Sequence, residues 1–288
     1  MRRLLILLFC LTGVGSYGQT VRIAGSDLLA RDLTPVLQAM ADREERDVAV
    51  DFTGSHAAWQ ALQSGGADLG VLSLAPDQPP PDASFHVVPV AWQTVVVLAP
   101  ATVQLNQISF AQLAGVFGAG EGSDWKRWGD LGVTGEMAPR SVTPWVLERP
   151  PLPTLGLFRH VVLRSRPLGS ALRTETEATA LIARLTSPEG GLALAARPPE
   201  PAAGIKVLPV STEPDGVAFA PTTAAIERGD YPLQWPVYLV FRRADVSRLY
   251  PWLRFLLSDQ AAAALTQAGL HPAAPDTRRR EVFALEEL

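Results

Sequence analysis

Three short apolar runs, each ending in a small-residue turn, constrain the fold of this chain most. VRIAG (21–25) runs into Ser26-Asp27, DVAVDF (47–52) into Thr53-Gly54-Ser55, and ADLGVLS (67–73) ends at Ser73. Between the first two, Leu29, Leu33, Val36, Leu37 and Met40 recur at the spacing of one helix face. Between the second and third, AWQAL (58–62) is helical in character and stops at Gly65-Gly66. This strand–helix alternation predicts a parallel sheet with right-handed crossovers. Ligands of such sheets bind outside the carboxyl ends of the strands, where Ser26, Ser55 and Ser73 fall. Pro35 interrupts the first helical pattern. With Thr34 as cap and Pro35 at the first helical position, only a single turn is expected ahead of it.

The rest of the chain repeats the α/β pattern. A proline-rich loop (75–84) precedes FHVVPVAWQTVVVLAP (85–100), longer than the usual strand of ~5–6 residues. Such a run is expected to leave one lobe and enter another. A helix over 110–117 follows Ser109 as cap, and a Gly/Trp-rich turn region with Trp125 and Trp128 comes next. A helix is expected at 177–185, strands at 191–196 and 205–210, and a second long run at WPVYLVF (235–241). A helical tail covers 247–268 and ends at Gly269. TRRRE (277–281) is expected to be a solvated end. The two long β runs divide the chain into one lobe of 19–92 plus 240–288 and another of 93–239. A cleft between lobes is a common place for a small ligand.

Met1-Arg2-Arg3, the apolar run Leu4 to Val14 and Ser16-Tyr17-Gly18 have the order of a secretory signal peptide. Residues 1–18 are therefore expected to be removed ahead of Gln19, which places the protein in the periplasm. The only cysteine, Cys10, lies in this segment, and Leu7-Leu8-Phe9 before it lack the small residue of a lipid-attachment site. The mature chain would then have no disulfide, no thiolate nucleophile and no zinc thiolates. A net charge of −4 gives no signature of nucleic-acid or polybasic membrane binding. His56, His86, His160 and His271 stand far apart without metal-ligand spacing, and Gly54-Ser55-His56 is not the G-x-S-x-G of a nucleophile elbow. No metal, cofactor or catalytic constellation is expected.

The series of motifs resembles the phosphate-binding proteins of ABC transporters, within the type II periplasmic-binding-protein superfamily. Gly25-Ser26-Asp27, Thr53-Gly54-Ser55 and GGADLG (65–70) carry it first, followed by Val88-Pro89-Val90. ISFAQLAGVFG (108–118) with Asp124-Trp125, Tyr231-Pro232-Leu233, FLLS (255–258) and Gly269-Leu270 complete it. The resemblance implies an α/β fold of two lobes with two chain crossings between them. It further implies a monomeric, non-enzymatic receptor that closes on a small oxyanion, phosphate first, and hands it to a membrane permease.

Members of that family grip phosphate with serine and threonine hydroxyls, helix N-termini, an arginine and an aspartate. Here Ser26, Asp27, Ser55 and Ser73 stand in the first lobe, and Arg149 and Thr154 in the second. The second-lobe motif departs from the family, because RPPLPTLGLF (149–158) has Leu152-Pro153 in place of serine and glycine. Proline has no N–H to donate, and leucine cannot hold an oxyanion. Each hydroxyl also has a plainer use as a helix cap, and Arg149 is also placed to pair with Glu148. A diverged envelope interaction or sensory module that no longer binds phosphate is therefore the alternative reading.

Overall fold

A computed structural model describes residues 19–74, 81–120, 125–148, 154–188, 190–200 and 202–288. Residues 1–18, expected to be a signal peptide, Arg149 and most of the proline-rich loop lie outside the described residues. β1 (Val21–Gly25) leads through a 3-10 turn (Asp27–Leu29) into α1 (Ala30–Arg43), followed by β2 (Val48–Asp51), α2 (Ser55–Ser64) and β3 (Leu69–Leu72). Next come β4 (Phe85–Thr94), β5 (Val96–Pro100), β6 (Ile108–Ser109), α3 (Phe110–Phe117), β7 (Pro144–Leu147) and α4 (Thr154–Val161). β8 (Arg173–Glu175), α5 (Ala178–Thr186), β9 (Leu192–Ala195), β10 (Ile205–Leu208), β11 (Val210–Ser211) and α6 (Thr223–Glu227) follow. The chain closes with β12 (Gln234–Arg242), α7 (Val246–Leu256), α8 (Asp259–Gln267), β13 (His271–Pro272) and α9 (Pro275–Leu285).

The strands form two principal sheets. One has the order β13-β4-β12-β3-β1-β2, the other β10-β5-β9-β7-β8, and β11 and β6 make a small third pair. β1 runs parallel to both β2 and β3, as the opening alternation predicts. β4 and β5 are separated by Val95 alone, and there the chain leaves the first sheet for the second. It returns at β12, which pairs antiparallel with β4 over its whole length. These are the two crossings between the lobes. The first is pinned by three bonds: Val95 N–H to Leu233 O (3.0 Å), Tyr231 O–H to Val95 O (2.7 Å) and Thr94 O–H to Ala196 O (2.7 Å).

Each sheet carries helices on both faces, as an α/β lobe must to bury a two-sided apolar sheet. On the first sheet, Ile23, Val71 and Leu239 pack with α1, α7 and α8, while Ala24, Leu72 and Val240 pack with Trp59 and Leu62 of α2. On the second, Val97 and Val146 meet Phe117 and Phe158, and Val96 and Leu98 meet Leu181 and Leu185 of α5. Leu181 and Leu185 are fully buried, each stabilising the fold by about 1.5–3 kcal/mol. Trp128 is buried in the second core and Trp125 packs against it.

Several local expectations are corrected. α1 runs unbroken through Pro35; buried Leu33 and Leu37 on either side hold the helix to the core, which outweighs the one backbone bond proline removes. α2 begins at Ser55, three residues before its apolar pattern starts. The C-terminal tail is two helices, because Ser258 accepts from Ala261 N–H and starts α8. TRRRE is solvated at Arg279 and Arg280 but not at Arg278. Arg278 is 6% exposed on α9 and donates to Ala273 O (3.0 Å), Ser258 O (2.7 Å) and Asp259 Oδ1 (2.6 Å). Its guanidinium satisfies carbonyls left over between α7 and α8, a role that spacing along the chain does not reveal.

Candidate functional site

The ends of β1 and β3 and the start of α2 form one shelf. Gly25 ends β1 where a Cβ would sit 2.3 Å from Val71 O, so only glycine lets the two strands approach here. Ser26 N–H then donates to Val71 O (3.0 Å), and Gly54 N–H to Gly25 O (3.0 Å). Gly54 has a φ of 141°, a conformation that side chains oppose, and it turns the chain into α2. Ser55 Oγ accepts from Ser73 N–H at 3.1 Å. Ser26, Ser55 and Ser73 therefore stand together, as the strand-end argument expects.

The hydroxyls are partly engaged. Ser26, 6% exposed, is the cap of the 3-10 turn, accepting from Leu28 N–H at 3.4 Å, and its hydroxyl lies 3.4 Å from Asp27 Oδ1. Ser55 uses an acceptor position on Ser73, which leaves its proton to donate. Asp27 is exposed in the first turn. Ser55 opens α2, so the start of this helix stands beside Ser73 at the end of β3.

The second wall is α4. Thr154 opens it, is 1% exposed, and its Oγ1 has no hydrogen-bond partner among the described residues. Leu157 and Phe158 anchor the helix in the second core, with Phe158 edge-on to Phe117 at 5.4 Å. At the far end His160 lies against Trp235, ring centroids 4.9 Å apart. Trp235 Nε1 donates to Leu74 O at 3.2 Å, one residue beyond Ser73. α4 is thus linked through Trp235 to the strand end that carries the shelf. Thr154 itself borders a pocket of about 830 Å³ that Arg31, Arg197, Pro198, Pro199 and Gln267 also line; Ser26, Asp27, Ser55 and Ser73 do not. Arg149 lies outside the described residues. Glu148, just ahead of it at the end of β7, is half-buried, and burial pushes its carboxyl pKa up.

Sequence reasoning missed Arg31 and Arg197. Arg31 sits in the first turn of α1, bound to Asp32, and Arg197 follows β9, donating to Thr266 O at 3.2 Å. The lone signal for either was a cation beside a predicted element end, which many surface arginines share. Among the described residues no three His, Cys, Asp or Glu side chains gather to hold a metal ion, and no helix is long and apolar enough to cross a membrane.

No family model matches the sequence, and no curated protein matches it. Solved structures do. A possible phosphate binding protein from Planctomyces limnophilus superposes with a TM-score of 0.70 at 17% identity, covering 94% of this chain and 99% of its own. The chain has the fold of that protein. PstS from Borrelia burgdorferi matches with a TM-score of 0.66 at 14% identity, over 89% of this chain and 99% of that one. An ABC-type phosphate transport receptor from Vibrio cholerae gives 0.61 at 16% identity, over 88% and 100%. The type II periplasmic-binding-protein-like architecture inferred from the motif series is therefore the architecture of this chain, over nearly the full length of its structural relatives.

Proposed function

We propose that this protein is a non-enzymatic, periplasmic solute-binding receptor that captures a small oxyanion of the phosphate type between its lobes. It delivers the ligand to the membrane permease of an ABC transporter. The lobes are 19–92 with 240–288, and 93–239. Ser26, Ser55 and Ser73 belong to the first wall with the N–H groups at the start of α2. Thr154 and the start of α4 belong to the second, and Arg149 supplies charge. Asp27 accepts a hydrogen bond from a protonated oxyanion. Contacts made to both lobes at once favour the closed state and shift the population toward it.

The observation that carries this reading is the buried, unpartnered Thr154 hydroxyl at a helix start. A buried polar group without a partner costs about 1–3 kcal/mol, and a ligand oxygen would relieve that cost where the helix dipole also favours an anion. Titration calorimetry of residues 19–288 with phosphate at neutral pH tests it, with Ser26→Ala and Thr154→Ala alongside. Micromolar or tighter binding that both substitutions weaken is expected. Absence of heat and of any thermal shift at millimolar phosphate, and with other small oxyanions, would sink the reading.

A further inference from the structure

The pocket beside Thr154 is far larger than a bare oxyanion needs. A tetrahedral oxyanion fills the space of two or three waters, roughly 60–90 Å³ at ~30 Å³ each, whereas the pocket measures about 830 Å³. That volume lies within the roughly 300–1,000 Å³ of sites that hold organic ligands. Nor is it the gap of unconnected lobes, because Arg197 Nη1 reaches across it to Thr266 O at 3.2 Å, tying the loop after β9 to the end of α8.

Its lining is divided in chemistry. Thr154 Oγ1 lacks a partner among the described residues and is nearly inaccessible to solvent, at the N-terminus of the eight-residue helix α4. Arg197 forms no ion pair among the described residues and has one hydrogen bond for five N–H donors. Arg31 is less available, since its guanidinium donates to the Asp32 carboxylate in three contacts. Pro198, Pro199, Ala178 and Ala268 add apolar surface with no donor to offer an anion. Glu177 and Glu200 border the same space, so negative charge on the ligand beyond its phosphoryl group would meet repulsion.

We infer that the ligand is an organophosphorus monoanion or dianion with an uncharged or amino-bearing organic substituent. Its phosphoryl oxygens meet Thr154 Oγ1 and Arg197, and its substituent lies along Pro198-Pro199. The inference rests on the oxyanion reading above and names the ligand class for the part of the site beside Thr154. The start of α4 takes the head group because it offers donors and the positive end of a helix dipole. The apolar wall takes the tail, whose transfer from water adds affinity that a bare phosphate cannot gain.

Titration calorimetry on residues 19–288 with inorganic phosphate, phosphoethanolamine, glycerol phosphate and pyrophosphate tests this. A monoester is expected to bind at least about tenfold tighter than phosphate or pyrophosphate. Arg197→Ala is expected to weaken the monoester by about tenfold, the loss of one charge-assisted hydrogen bond, with Arg197→Lys recovering part of it. Circular-dichroism melts of both variants check that the fold is kept. Phosphate binding as tightly as the monoesters, or monoester affinity indifferent to Arg197→Ala, overturns the inference and leaves the oxyanion reading standing. No binding by any of the four removes both.

Discussion

Replacing Gly25 by alanine tests whether the shelf depends on the close approach of β1 to β3. The added Cβ would lie 2.3 Å from Val71 O and 2.8 Å from the ring of Phe52. Ordinary contact needs about 1 Å more than the first distance, and Val71 O is backbone in a buried strand, unable to swing aside. Either β1 or β3 must shift, which costs about 1–3 kcal/mol as overpacking. The 3.0 Å bond from Ser26 N–H to Val71 O starts at the next residue and would be lost or lengthened, at about 1 kcal/mol more. The total is about 2–4 kcal/mol, against a typical stability of about 5–15. Gly66→Ala is the matched control: its Cβ would meet nothing nearer than Ala61 O at 3.5 Å. That substitution is expected to range from neutral to about 1 kcal/mol stabilising, through the unfolded chain. Urea denaturation followed by circular dichroism measures both. Gly25→Ala within about 0.5 kcal/mol of the parent would refute the steric reasoning, and with it the view that Ser26 and Ser73 are held in place by this contact.

Asp68 gives a pH dependence: burial by itself would raise its pKa, but hydrogen bonds from Arg22 and Arg248 outweigh this and hold it at about 2. Its contribution is present above the ordinary carboxylate range near pH 4 and is lost as pH falls toward 2. With discount for solvent around Arg22 it amounts to about 1–2 kcal/mol, and Asp68→Asn should flatten the acid limb of a stability–pH curve. Arg278→Ala should cost about 2–4 kcal/mol, since Ala273 O and Ser258 O lose a charged donor at 3.0 and 2.7 Å; a loss below about 0.5 kcal/mol in urea denaturation would show the residue to be surface after all. Tyr231→Phe removes the donor to Val95 O at the first crossing and should cost about 1–2 kcal/mol, while an unchanged melting curve would refute a role for that bond in fixing the crossing. Ser55→Ala leaves Ser73 N–H without its 3.1 Å acceptor and should weaken oxyanion binding more than it lowers stability; equal binding by calorimetry would remove Ser55 from the site.

What the sequence disclosed and what it hid follow from the range of the interactions. Ser109 capping α3 was legible because the reciprocal Ser109–Gln112 pair is a three-residue signal. The turns at Ser26 and Ser55 were legible for the same reason: strand, small residues and helix lie in sequence order. The continuation of α1 through Pro35 was not, because the burial of Leu33 and Leu37 under the first sheet decides it. Arg278 was hidden for the same cause, its acceptors lying 5 to 20 residues back at a helix junction.

The candidate site divides along the same line. Each of its hydroxyls was nameable from a local pattern, yet whether a hydroxyl is free depends on its surroundings in space. Ser26 is occupied in capping, Ser55 shares its oxygen with Ser73, and Thr154 has no partner among the described residues. Three residues of one chemical type, all at helix starts, thus differ in what they hold in reserve for a ligand. The cost of leaving a buried hydroxyl unpaired makes Thr154 the position where ligand contact recovers most, and Arg197 stands on the same pocket wall through a bond that no periodicity encodes. Under the proposed function, specificity is set by the side chains around Thr154, while the serine shelf supplies a platform whose hydrogen bonds are partly spent on its own geometry.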